Sequence, residues 1–307
     1  MREHSAAELR ALIALHRRGD VLFAALGILA LGIAAFAFAA LFFDMLVSGA
    51  PRLSWQFLTG FPSRHADQAG ILSALVGSAL VMLVTAAVAV PLGVAAGVYL
   101  EEYARRGWLA DLIEINITNL AGVPSIVYGL LALGLFVQQF GLGQSIAAAG
   151  LTLALLILPV VIVATREAIR TIPQGIREGA YALGATRWQM VSGHILPYSS
   201  PGILTGIIIG LARAIGETAP VITIGALTFI ALLPPAPVTP EFPWLSFDWL
   251  RSPFTVMPIQ IFNWISRPQA AFHANAAAAG LVLVLMTLAM NGLAIWLRHR
   301  LRARMRW

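Results

Sequence analysis

Cysteine is absent from all 307 residues, which excludes disulfides, zinc–thiolate centres and iron–sulfur clusters. Lysine is absent too: all 20 basic residues are arginine. A Walker A phosphate loop needs a lysine beside its terminal serine or threonine, so the chain does not supply that nucleotide site itself. The six histidines (His4, His16, His65, His194, His273 and His299) are scattered and form no pair at metal-ligand spacing, so no metal site is expected. Charge is scarce at 11%, while 59% of the residues are hydrophobic and the mean hydropathy is +0.83. That balance excludes a soluble globular protein and describes a chain built for lipid. A sequence pI near 10.7 would point to nucleic acid in a soluble protein. Here the placement of the arginines explains it, and no nucleic-acid partner is expected.

What is present is a series of apolar runs, each long enough to cross a hydrocarbon core of ~30 Å. Residues 1–20 are polar, with Leu9, Leu12, Ile13 and His16 at helical spacing, and read as a short interfacial helix or as a solvated tail. Val21–Phe43 is a first span without a charge. It carries an Ala37-x-Ala39 pattern, but the run is too long for a signal-peptide core and is expected to stay. The second block, Ala69–Leu100, exceeds one span, so tilt, a kink at Pro91 or an extension past the bilayer is expected. It ends in Glu101-Glu102, read as a solvated helix end. Further spans are expected within Ile115–Val137, at Ile146–Thr165, from Pro201 to Phe229 and at Asn275–Leu297, followed by a basic tail, 298–307. The polar segment 166–200 separates the fourth and fifth spans. A loop from Leu232 to Ala274 is dense in proline and aromatics. Its Trp244, Phe247, Trp249, Phe254, Phe262 and Trp264 are expected to anchor at the membrane interface, or else to dock an external protein. The fold class is therefore all-α, polytopic, with six transmembrane helices.

With both termini on the cytoplasmic side, fifteen of the 20 arginines fall inside and four outside, as the positive-inside rule requires. The remaining one, Arg213, lies within a span. Counted from Pro201 at ~1.5 Å per residue it sits about 18 Å in, near the midplane, with Glu217 one helical turn further on the same face. A charge at that depth costs at least ~2.5 kcal/mol and should face the bundle interior or water. A structural ion pair and a place on a substrate path are the two roles such residues can take. Ser125 and Tyr128, beside Pro124, likewise line a polar path or serve helix packing.

In the 166–200 segment, Ile176, Ala180 and Leu183 recur at i, i+4 and i+7, marking a short amphipathic helix between Pro173 and Gly184-Ala185. So short a helix needs a partner surface, either lipid headgroups or a protein. The run Glu178-Gly179-Ala180, Gly184 and His194-Ile195-Leu196-Pro197 resembles the cytoplasmic loop signature of ABC importer permeases. Two positions depart from it: Gly179 stands where alanine is usual, and His194 where isoleucine is. The following ARAIGETAP, Ala212–Pro220, and the octet Gly122–Gly129 resemble the phosphate importer permeases of the PstA and PstC type. The likeness covers roughly Ala69–Leu297 and is most specific in Glu178–Pro220.

That resemblance implies a permease subunit that is not an enzyme and binds no cofactor, with ATP held by a separate ATPase subunit. The 166–200 loop would form a coupling helix docked on that ATPase through Glu178, Gly179, Ala180, Gly184, Leu196 and Pro197. A second, PstC-like permease chain, a phosphate-binding protein and a multi-pass location in a bacterial cytoplasmic (inner) membrane are implied with it. Arg213 would make transient phosphate contact and Glu217 would hold it, with Ser125 and Tyr128 on the same path. The alternatives are a permease for another oxyanion such as phosphonate or sulfate, a channel or carrier that uses no ATPase, and a regulatory membrane protein.

Overall fold

The computed structural model describes residues 6–105, 107–238 and 244–303. Residues 1–5, Arg106 and the final arginines of the basic tail, Arg304 and Arg306, lie outside the described residues. Among the described residues the regular structure is helical, with one isolated bridge between Val238 and Leu245. Lipid demands this, because a helix satisfies its own backbone polar groups where no water can.

Helix α1 (Ala6–Gly49) runs through the first expected span and beyond both ends of it. The residues after Ala6 therefore continue that helix and form neither a separate surface helix nor a tail. A single turn, α2 (Trp55–Thr59), is capped by the Ser54 hydroxyl, which accepts from the Phe57 amide. Helix α3 (Leu72–Val98) passes Pro91 unbroken and continues as a π-helical turn, Tyr99–Tyr103. The long second block is one helix of 32 residues, about 48 Å, that outlasts the bilayer.

The third span is not straight. Helices α4 (Trp108–Ala121) and α5 (Ser125–Ala132, prolonged by the π-turn Leu133–Gln139) meet at 105°. The bend falls at Gly122-Val123-Pro124, where proline offers no amide to carry the helix on and drives its predecessor out of helical geometry. Helix α6 (Ile146–Arg170) starts where expected, under a Ser145 cap, and outruns Thr165 because Arg166 and Arg170 are held in its last turns by carboxylates. Helices α7 (Gln174–Ala182) and α8 (Arg187–Met190) fill the connection, and the π-turn Val191–Ile195 leads into α9 (Leu196–Gly216). Pro197 stands where the π-turn passes into α9, and Pro201 lies inside the helix. This span is also broken: α9 stops at Glu217, whose backbone is extended, and α10 (Ala219–Ile224) follows, ending at Gly225 in the left-handed region. Helices α11 (Met257–Ile265) and α12 (Ala270–Ala303) complete the order. Five helical stretches are long and apolar enough to cross a membrane, and the bent α4–α5 pair makes a sixth.

Helix α6 is the axis of the bundle, with α3 on one side and α9 on the other. In lipid no hydrophobic force draws helices together, so close van der Waals contact between small residues does. On α3, Gly97 lies so near Thr165 that a Cβ there would stand 2.6 Å from the threonine Cβ. On α9, Gly206 lies against Ala164 more tightly still. The final outer loop re-enters this bundle. Its amides and carbonyls pair with it, Ile146 N donating to Ser252 O and Met257 N to Ser78 Oγ. Trp249, Phe254 and Trp264 are consequently buried core residues, not interface anchors, whereas Trp244, Phe247 and Phe262 are exposed.

Candidate functional site

The two broken spans meet. Gly129 on α5 packs directly on Pro220 and Thr223 of α10, with no room for a Cβ between them. This contact brings the breaks at Pro124 and Glu217 together, with Tyr128 packed in one cluster with Ala214, Ile215 and Val221. Tyr128 is buried, and its hydroxyl donates at 2.8 Å to Leu120 O, a carbonyl near the end of α4 that also accepts from the Val123 amide. Ser125 is half-buried in the first turn of α5. Arg213 lies in the last turn of α9, and the next residue, Ala214, packs in one buried cluster with Tyr128.

Arg213 Nε donates to Glu217 Oε1 at 3.3 Å, so the ion pair forms. It forms differently from the expectation: Glu217 is not on the next helical turn but on the extended residue that ends α9. The pair is also incomplete. The Arg213 side chain is 39% exposed, and its two terminal nitrogens have no partner among the described residues. Glu217 is more enclosed and borders a crevice of about 10 Å³ lined by Ser78, Met82, Leu153 and Val221, room for roughly one water. Since α9 starts at Leu196, Arg213 stands about 25 Å along it. Its level is that of Met82 and Leu153, nearer the Leu72 end of α3 than the arginine-rich end.

At the arginine-rich end the 174–197 segment forms a second candidate site. Ala180 and Ile176 turn inward on Val98, Ile169 and Ile172, together with Met190, Val191 and Ile195. Leu196 packs at the edge of this cluster and Pro197 is half-buried. Leu183 does not share that face. Helix α7 ends at Ala182, and Gly184 at φ +82° reverses the chain, so Leu183 is thrown outward and is 91% exposed. Glu178 and Gly179 also face out, and a Cβ on Gly179 would meet nothing. Tyr181 and Trp188 flank the tip, both exposed. Thr186 and Gln189 close a capping box on α8, which fixes the turn after Gly184. His194 is exposed in its π-turn, so its departure from the signature disturbs no packing.

Glu101 and Glu102 are not the solvated helix end expected. Glu101 accepts from Arg166 at 3.4 Å and Arg170 at 3.0 Å, and the same two arginines reach Glu114 on α4. Glu102, only 6% exposed, accepts two hydrogen bonds from Arg177, at 2.7 and 3.0 Å. These partners lie 52–75 positions apart in sequence, so no local pattern announces them. The one available signal was a glutamate pair opposite a segment holding four arginines.

A family model described as binding-protein-dependent transport system inner membrane component matches residues 89–307. The probable ABC transporter permease protein YqgI of Bacillus subtilis is 34% identical over 262 residues, 84% of this chain and 87% of its own. The phosphate transport system permease protein PstA of Yersinia pestis is 35% identical over 253 residues, 82% of this chain and 80% of its own. Among solved structures, the inward-facing MetNI methionine ABC transporter superposes with a TM-score of 0.55 at 17% identity, over 76% of this chain and 94% of that one. A bacterial ABC transporter importing alginate gives 0.55 at 16% identity, over 94% and 99%. At such identities the superpositions show a shared fold.

Proposed function

The chain belongs to the family of binding-protein-dependent transport system inner membrane components, and we propose that its cargo is inorganic phosphate. It is a multi-pass permease subunit of an ABC importer and forms part of the translocation pathway; ATP is hydrolysed on a partner subunit, and another permease subunit stands beside it. These memberships remove the ATPase-free channel, the carrier and the regulatory membrane protein.

Phosphate is supported by relatives named as phosphate permeases from several bacteria and by one observation at the site. Arg213 keeps two terminal nitrogens open beside the meeting point of two broken helices, where polar groups at membrane depth gather to hold ions. A guanidinium with a free edge binds a phosphate through paired hydrogen bonds. Glu217 holds Arg213 by Nε alone and so aims that edge. Ser125 and Tyr128 lie on the α5 side of the same path. A phosphate-binding protein delivers the anion from outside, with the arginine-rich end and both termini in the cytoplasm, and a sister chain of the PstC type completes the pathway. The tip formed by Tyr181, Leu183 and Trp188 meets the ATPase, whose movement switches the path between its two openings.

The test is orthophosphate uptake in cells lacking other importers, with subunit assembly measured in parallel. Arg213→Met should assemble and lose uptake. Arg213→Lys should be impaired, because an ammonium lacks the planar fork. Normal uptake by an assembled Arg213→Met complex would remove the arginine from the path. Competition by sulfate or a phosphonate equal to that by phosphate would assign a different oxyanion.

A further inference from the structure

The guanidinium of Arg177 joins three helices at once. It lies on α7, gives Nε and Nη2 to Glu102 on the π-turn of α3, and gives Nη1 and Nη2 to the Ile172 and Ile169 carbonyls at the end of α6, at 2.9 and 3.2 Å. Ile169 O also accepts from the Ile172 amide, so Arg177 fills a second position on that carbonyl and adds a bond to the one just past the helix end. Next to this joint, Glu101 engages Arg166 and Arg170, and both of these also hold Glu114 on α4. Adjacent carboxylates thus diverge into two sets of arginines. The two sets are joined through the Glu101-Glu102 backbone and together tie α7, α3 and α6 to α4, the helix that leads into the break at Pro124.

We propose that Arg177 and Glu102 are positioning residues of the transport cycle: their enclosed pair fixes α7 to the body of the bundle, and the Glu101–Arg166/Arg170–Glu114 pairs carry that hold on to the broken span. This rests on α7 facing the ATPase. A nine-residue helix cannot transmit a push by its own stiffness. Its apolar contacts, through Ala180 and Ile176, are non-directional, whereas a paired, hydrogen-bonded charge inside a largely enclosed site fixes both position and orientation. Removing Arg177 would leave the Glu102 charge enclosed without a partner, and removing the Glu102 charge would leave Arg177 with the two carbonyls alone.

The experiment uses the full complex in proteoliposomes, with orthophosphate as the transported probe and ATP hydrolysis read in the same vesicles. Glu102→Gln and Arg177→Met should each still assemble and hydrolyse ATP. Uptake per ATP should fall on the order of tenfold in each, and the double variant should be no worse than either. A second reading needs no substrate. The chain has no cysteine, so spin labels at Gly175→Cys on α7 and Leu109→Cys on α4, both exposed, report the hold directly. One narrow distance, unchanged by ATP, is expected in the otherwise native chain, and a broadened or second distance with Glu102→Gln. A narrow distance that survives Glu102→Gln overturns the proposal, as does an unchanged uptake per ATP or a double variant whose loss is the product of the two. Absence of orthophosphate uptake in the native complex would instead strike the substrate assignment, and the label distances would still judge the joint.

Discussion

Gly206 and Gly179 occupy opposite situations, and the same substitution should have opposite consequences in them. A methyl group at Gly206 would collide with Ala164 and push α9 off α6, an overpacking cost of about 1–3 kcal/mol. At Gly179 the added methyl meets open space inside a helix, where alanine is favoured over glycine by about 1 kcal/mol. Thermal melting of the purified complex should therefore fall for Gly206→Ala and hold or rise for Gly179→Ala. Equal behaviour of the two would contradict the packing of α9 on α6. Gly179 was visible in the sequence as a departure from the signature. The cost of Gly206 was not, because it depends on which helix lies opposite.

Helix α7 shows where local pattern suffices and where it stops. Pro173 and Gly184 marked its ends, and the helix runs between them. The i, i+4, i+7 spacing then placed Leu183 on the inner face, but the spacing holds only while the helix lasts, and it ends at Ala182. The error is informative. Leu183 with Tyr181 and Trp188 exposes apolar surface at one tip, which fits a surface that another subunit covers. Cross-linking from Leu183→Cys to the ATPase is expected in an assembled, active complex, while Ala180→Cys, buried in its cluster, should link poorly. Efficient linking from Ala180 and none from Leu183 would reverse the orientation of α7. The break in α9 was hidden for a similar reason. The apolar run continues across Glu217-Thr218, so hydropathy gives one span where the backbone makes two pieces.

Across the whole molecule, composition and the length of the apolar runs were enough for the membrane class and for five spans with a sixth, bent in the structure, because both follow from the bilayer and not from tertiary contacts. The meeting of the broken spans, the re-entrant outer loop and the charge pairs at the arginine-rich end all depend on contacts between distant segments, and none could be read locally. They divide the permease into two working ends joined by α3, α6 and α9. One end offers an exposed apolar tip to a partner, and toward the other an arginine is held by only one of its nitrogens. The most direct measurement is radiolabelled orthophosphate uptake by proteoliposomes containing this chain, its sister permease, the ATPase and the binding protein. Uptake should require ATP hydrolysis and all four components, and excess sulfate should not compete. ATP-dependent hydrolysis with no orthophosphate accumulation, while another solute accumulates in its place, would contradict the assignment.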